Sequence, residues 1–107
     1  MIVADFVKND CGYRLTLNGH SGYSQDENDV VCAAVSGIFY ALCGYLTNMK
    51  SKGLTINSIS PGYGDVQCSF EGEEAMMLTC IGLMQIMLTY PENLSVINRA
   101  FNWRMRD

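Results

Sequence analysis

Apolar and polar positions alternate with period two at the start of the chain. Ile2, Ala4 and Phe6 fall on one side and Val3, Asp5 and Val7 on the other, which predicts a strand over about 1–8. Asn9-Asp10-Cys11-Gly12 has the composition of a turn. Tyr13, Leu15 and Leu17 then share one face of a second strand over about 13–19, with Arg14, Thr16, Asn18 and His20 on the other. The pair reads as a β-hairpin. The period disappears over residues 19–28, a polar stretch with two glycines, Gly19 and Gly22, which predicts a mobile loop. Helical spacing follows in Val31, Ala34, Val35, Ile38, Leu42 and Leu46. A helix over about 30–49 fits, with Asp29 as its N-cap and Lys50-Ser51-Lys52-Gly53 at its end.

The second half repeats the order. Leu54 to Ile59 predicts a third strand, Ser60 to Gly64 a turn, and Val66, Cys68 and Phe70 the alternation of a fourth strand. Acidic residues Glu71, Glu73 and Glu74 precede a helix over about 73–90, where a helix N-terminus favours them. Met76, Met77, Leu78, Ile81, Leu83, Met84, Ile86, Met87 and Leu88 leave that helix almost no polar face. Such a helix is covered on more than one side, by a second subunit or within one. Its methionines fit a gap-filling role in a core. Pro91 stops it, and Leu94 to Ile97 predicts a short last strand. The aromatic and basic tail with Phe101, Trp103, Arg104 and Arg106 has no evident place. The ββαββαβ order predicts an α/β chain (an α+β sandwich) with a mainly antiparallel sheet and two helices packed on it.

Composition narrows the partners. The chain has 107 residues, enough for a single domain over 1–107 with a modest core, and 49% are hydrophobic against 17% charged. So much apolar surface on a small domain makes a homodimer one outlet. A net charge of -4 offers no basic footprint, so nucleic-acid binding is not expected. The five cysteines, Cys11, Cys32, Cys43, Cys68 and Cys80, include no CxxC pair, and no signal peptide or membrane-length apolar run is evident. These features lead us to expect free thiols in a reducing cytoplasm, no membrane partner, no metal and no cofactor.

The chemistry concentrates where the sole histidine, His20, precedes a cysteine at a helix start, Cys32, by one short loop. The positive end of the helix dipole favours a thiolate, which is the nucleophile, and a histidine folded back across the loop can act as its base. Backbone N–H groups at the helix start are candidates for holding an oxyanion. The structural alternative for Cys32 is a small buried hydrophobe, and for His20 a surface residue. Asp29 is either a cap alone or a group that orients His20 or binds a basic substrate group. Ser36, one turn after Cys32, is either a hydrogen-bonding neighbour of the site or a small packing residue. Asp26 and Glu27 read as solvated charges. Cys11, Cys43, Cys68 and Cys80, with no histidine near in sequence, read as structural.

Gly19-His20 followed by Asp29-Val30-Val31-Cys32-Ala33-Ala34-Val35-Ser36 resembles the motif of the ribosomal-processing cysteine protease family, Prp. The order of elements is similar along nearly the whole chain. The resemblance implies a homodimeric α/β sandwich with a catalytic Cys32/His20 dyad, and places Gly19, Asp29 and Ser36 at motif positions beside it. It implies a substrate, the N-terminal extension of the bacterial large-subunit ribosomal protein number twenty-seven, cut after a phenylalanine for ribosome assembly. It also implies a loop between histidine and cysteine that rearranges around substrate. The chain departs from the pattern at Ser21, where alanine is frequent, and in its longer tail. A ribosome-associated assembly factor that binds without cleaving is a competing reading. A thiol redox sensor is a third, disfavoured because no resolving cysteine lies close in sequence to Cys32.

Overall fold

Each apolar period folds as its spacing requires. A computed structural model describes residues 1–23, 29–60 and 62–102. The elements are β1 (Ile2–Asn9), β2 (Gly12–Asn18), α1 (Val30–Asn48), β3 (Thr55–Ser60), β4 (Tyr63–Cys68), a 3-10 turn (Phe70–Gly72), α2 (Glu73–Thr89) and β5 (Leu94–Arg99). One sheet runs in the order β3-β4-β2-β1-β5. Neighbours are antiparallel except β5, which returns through α2 to lie parallel to β1.

The register stacks the alternating faces. Phe6 sits opposite Leu15, and Leu15 opposite Val66. These side chains are fully buried with Val35, Phe39, Leu42 and Leu46 of α1 and Met76, Cys80 and Leu83 of α2, so both helices cover the same face of the sheet. Burying each large apolar side chain contributes about 1.5–3 kcal/mol. The other face is mostly polar, with Val3, Val7 and Ile97 among its residues. There Asp65 accepts from Arg14 Nε at 2.9 Å, Arg14 Nη2 at 2.6 Å and Asn57 Nδ2 at 3.1 Å. Asp5 takes a second two-pronged arginine contact, from Arg99.

Several sequence expectations shift. Tyr63 and Gly64 belong to β4 and not to the turn, because Gly62, at φ +81°, reverses the chain within two residues and Ser60 already pairs with Tyr63. Phe70 leaves the strand for the 3-10 turn, where it meets the Tyr13 ring edge-on at 5.8 Å. In α1 the exposed Ala34 yields its place on the buried face to Phe39, which the spacing had passed over. Cys11 is exposed in the β1–β2 turn, so it has no packing role. Phe101 stacks on Tyr13 at 5.2 Å, which gives part of the tail a place; Trp103 and the rest lie outside the described residues.

α1 is long and apolar enough to cross a membrane by length and composition alone, against the expectation that no segment would qualify. Here it is the core helix of the sandwich, with Val31, Val35, Phe39, Leu42, Cys43 and Leu46 buried. α2 buries Met76, Thr79, Cys80 and Leu83 but leaves Leu78 73% and Leu88 63% exposed. Its apolar girth is therefore not enclosed within one chain.

Candidate active site

The site forms where β1, β2, β4 and α1 share one end of the sheet. Alternation along β2 would place His20 on the outer face with Arg14 and Thr16. Gly19 prevents that. Its φ of +101° turns the chain, and a Cβ there would lie 2.4 Å from the Met1 carbonyl oxygen, so only glycine fits. The turn brings His20 to a cleft bordered by Ile2 and Leu17, residues of the helix-covered face. Gly19 N–H donates to the Gly62 carbonyl at 2.9 Å. The imidazole lies against the bare Cα of Gly62, where an added Cβ would stand 2.8 Å from Nε2.

Asp29 fixes the other half. Its Oδ1 accepts from the N–H of Val31 at 3.1 Å and of Cys32 at 2.9 Å, the capping geometry that the sequence predicted. Its Oδ2 accepts the Ser21 hydroxyl, and its carbonyl accepts the Ala33 N–H at 3.1 Å. The N–H groups of Val31, Cys32 and Ala33 are thus all engaged. The expectation that they hold an oxyanion is corrected: the cap that starts the helix occupies them. Cys32 Sγ, half-buried, accepts from the Ser21 N–H at 3.4 Å.

His20 and Cys32 border one cleft of about 270 Å³. No hydrogen bond joins them among the described residues. Ser36 lies on the same wall, one helical turn beyond Cys32, and is exposed. The remaining walls are apolar: Ile2, Leu17, Val35, Phe39 and Ile59, with Tyr40 and Tyr63 at the edge. Gly64 makes room for Phe39, whose Cζ would come within 2.9 Å of a Cβ there. The structure thus brings Gly19, His20, Asp29, Cys32 and Ser36 to one end of the molecule. Asp26 and Glu27 lie outside the described residues, as do all of residues 24–28, half of the stretch expected to be mobile.

The other thiols differ in kind. Burial pushes Cys43 and Cys68 up from the ordinary thiol range, and Cys80 up to about 11. They stay protonated at neutral pH and unreactive. Sequence reasoning gave no role in the site to Ser21, Asn93, Gly62 or Gly64. Ser21 carried one signal, a hydroxyl next to the histidine. Asn93 carried none, since its contact spans 72 residues.

The family model described as cysteine protease Prp matches residues 1–95. No curated protein sequence matches the chain. Among solved structures, the essential ribosomal processing protease Prp from S. aureus, with a covalently linked product peptide, superposes with a TM-score of 0.79 at 21% identity over 91% of this chain and 98% of that one. The same S. aureus protease with a substrate peptide gives 0.74 at 20% identity, covering 90% and 97%. SMU.848 from Streptococcus mutans gives 0.71 at 23% identity, covering 91% and 92%. With the family model spanning both strands of the hairpin, both helices and the first part of β5, the chain belongs to the cysteine protease Prp family and is a cysteine protease.

Proposed function

We propose that Cys32 is the nucleophile and His20 its base, and that the substrate is the N-terminal extension of the bacterial large-subunit ribosomal protein number twenty-seven. The observation that carries the reading is the single cleft that both side chains border at the start of α1. His20 takes the thiol proton, and the sulfur attacks the peptide carbonyl carbon. The protonated imidazole then gives that proton to the departing amine. Water hydrolyses the remaining thioester, with His20 again accepting a proton, and the free thiol returns. Asp29 and Ser36 support the site from the helix, and Gly19 by aiming the histidine. The apolar walls around Val35, Phe39 and Ile59 suit an apolar side chain such as phenylalanine beside the scissile bond.

The exposed Leu78 and Leu88 of α2 support a homodimer in which that helix contributes to the interface. Free cysteines support a reducing, cytoplasmic setting, and the net charge of -4 supports a peptide partner over nucleic acid. The test uses a synthetic peptide spanning the ribosomal extension, incubated with the protein and read by mass spectrometry. One cut after phenylalanine is expected. A peptide that is bound but recovered whole would overturn the cleavage and leave the assembly-factor reading.

A further inference from the structure

Ser21 is 1% exposed, although His20, Gly22 and Tyr23 around it are exposed. Every polar group it has is used. Its N–H donates to Cys32 Sγ at 3.4 Å, and its hydroxyl donates to Asp29 Oδ2 while accepting from the Tyr23 N–H at 3.1 Å. Its carbonyl accepts from Asn93 Nδ2 at 3.0 Å. Asn93 sits in the α2–β5 turn and is itself fixed. Its N–H donates to the Tyr90 carbonyl at 3.0 Å, and its carbonyl accepts the Ile2 N–H at 3.0 Å. The Tyr90 ring meets the Tyr23 ring edge-on at 5.4 Å, a second contact between the same two segments.

We propose that Ser21 and Asn93 are positioning residues that lock the His20 backbone at the cleft, Ser21 by its hydroxyl bond to Asp29 and Asn93 by tying the Ser21 carbonyl to the α2–β5 turn. This rests on the Cys32/His20 reading above. His20 lies between two anchored neighbours: Gly19 is bound to Gly62 on the β4 side, and Ser21 to Asn93, Asp29 and Cys32 on the other. Holding one residue's backbone in place costs conformational entropy. These anchors meet that cost during folding, before any substrate arrives, so the base is pre-placed. The placement is also transmitted: the end of α2, which carries the exposed Leu88, reaches the histidine through Tyr90, Asn93 and Ser21.

Two variants test this. Ser21→Ala removes the hydroxyl bonds and keeps the backbone. Asn93→Asp removes the Nδ2 donor and keeps the main-chain bonds to Tyr90 and Ile2. In both, kcat is expected to fall about tenfold with KM changed less than about twofold, because the base and not the cleft wall has been loosened. His20 is the sole histidine, so its ring gives one Cε1–H resonance in the proton NMR spectrum without assignment. That line should shift and broaden in both variants while circular dichroism stays native. An unchanged line and unchanged kcat in the folded Ser21→Ala protein would overturn the proposal, even if Asn93→Asp failed to fold. Should the wild-type protein cut no peptide, the protease reading fails, and the histidine resonance alone still decides the positioning.

Discussion

The two ends of the sheet are built on opposite plans. At the end away from the cleft, Tyr13 stacks on Phe101 and meets Phe70, while Gly12 and Gly72 press against Cys68 with no room for a Cβ. Glycine there serves close packing. At the cleft end, Gly19 and Gly62 hold positive φ and Gly64 lies under Phe39, and the space they leave is bordered by His20 and Cys32. Glycine there aims a side chain and keeps a wall thin. One end is filled with rings and supplies stability. The other gives up packing for a cleft and holds its polar groups by hydrogen bonds, with Asp29 and Ser21 at the centre. The same β1–β2 hairpin contributes to both.

Breaking the packed end should cost stability and spare the chemistry. Tyr13→Ala, at a 3% exposed position, is expected to lose about 3–5 kcal/mol, which lowers the melting temperature by roughly 15–30 °C in a domain of this size. Calorimetry gives the shift, and kcat/KM of the folded fraction should hold within about twofold of wild type. Breaking the cleft end should do the reverse. In Gly62→Ala the new methyl group meets His20 Nε2 and moves the ring, so cleavage should fall roughly 100-fold. The positive φ itself costs only about 1–2 kcal/mol of stability. A Gly62→Ala protein with wild-type turnover would show that the imidazole position is immaterial.

Asp65, on the outer face, belongs to neither end and should give the smallest effect. The Arg14 guanidinium, by hydrogen bonding first, holds its carboxyl below the ordinary carboxylate range. A group depressed in the folded state stabilises above its unfolded pKa, and the contribution is lost as pH falls through the folded value. Asp65→Asn should therefore cost about 1–2 kcal/mol near neutral pH, a modest figure because Arg14 is 42% exposed and screened. In urea titrations that gap should begin to close below about pH 4 and vanish once Asp65 is protonated in the native state.

Much of this was legible in the chain, for physical reasons that differ by element. The period-two and helical spacings located all five strands and both helices, since burial of one face is what selects them. The Asp29 cap was readable because capping is local, between residues two and three apart. His20 was placed on the wrong face because alternation assumes ordinary backbone, and Gly19 at φ +101° breaks it. The helix-start amides were assigned to an oxyanion because their engagement by the cap is a matter of three-dimensional geometry. Phe70 and Phe101 escaped because their partner, Tyr13, lies 57 and 88 residues away in sequence. Asn93 escaped for the same reason.

The cleft end is proposed to cleave peptides through Cys32 and His20. The direct measurement is the rate of cleavage of the ribosomal-extension peptide by wild type, Cys32→Ala and His20→Ala at matched folded concentration. Both variants should melt within a few degrees of wild type. Cys32→Ala should show no product, and His20→Ala should retain less than about 1% of the rate. Cleavage by Cys32→Ala at the wild-type rate would contradict the account.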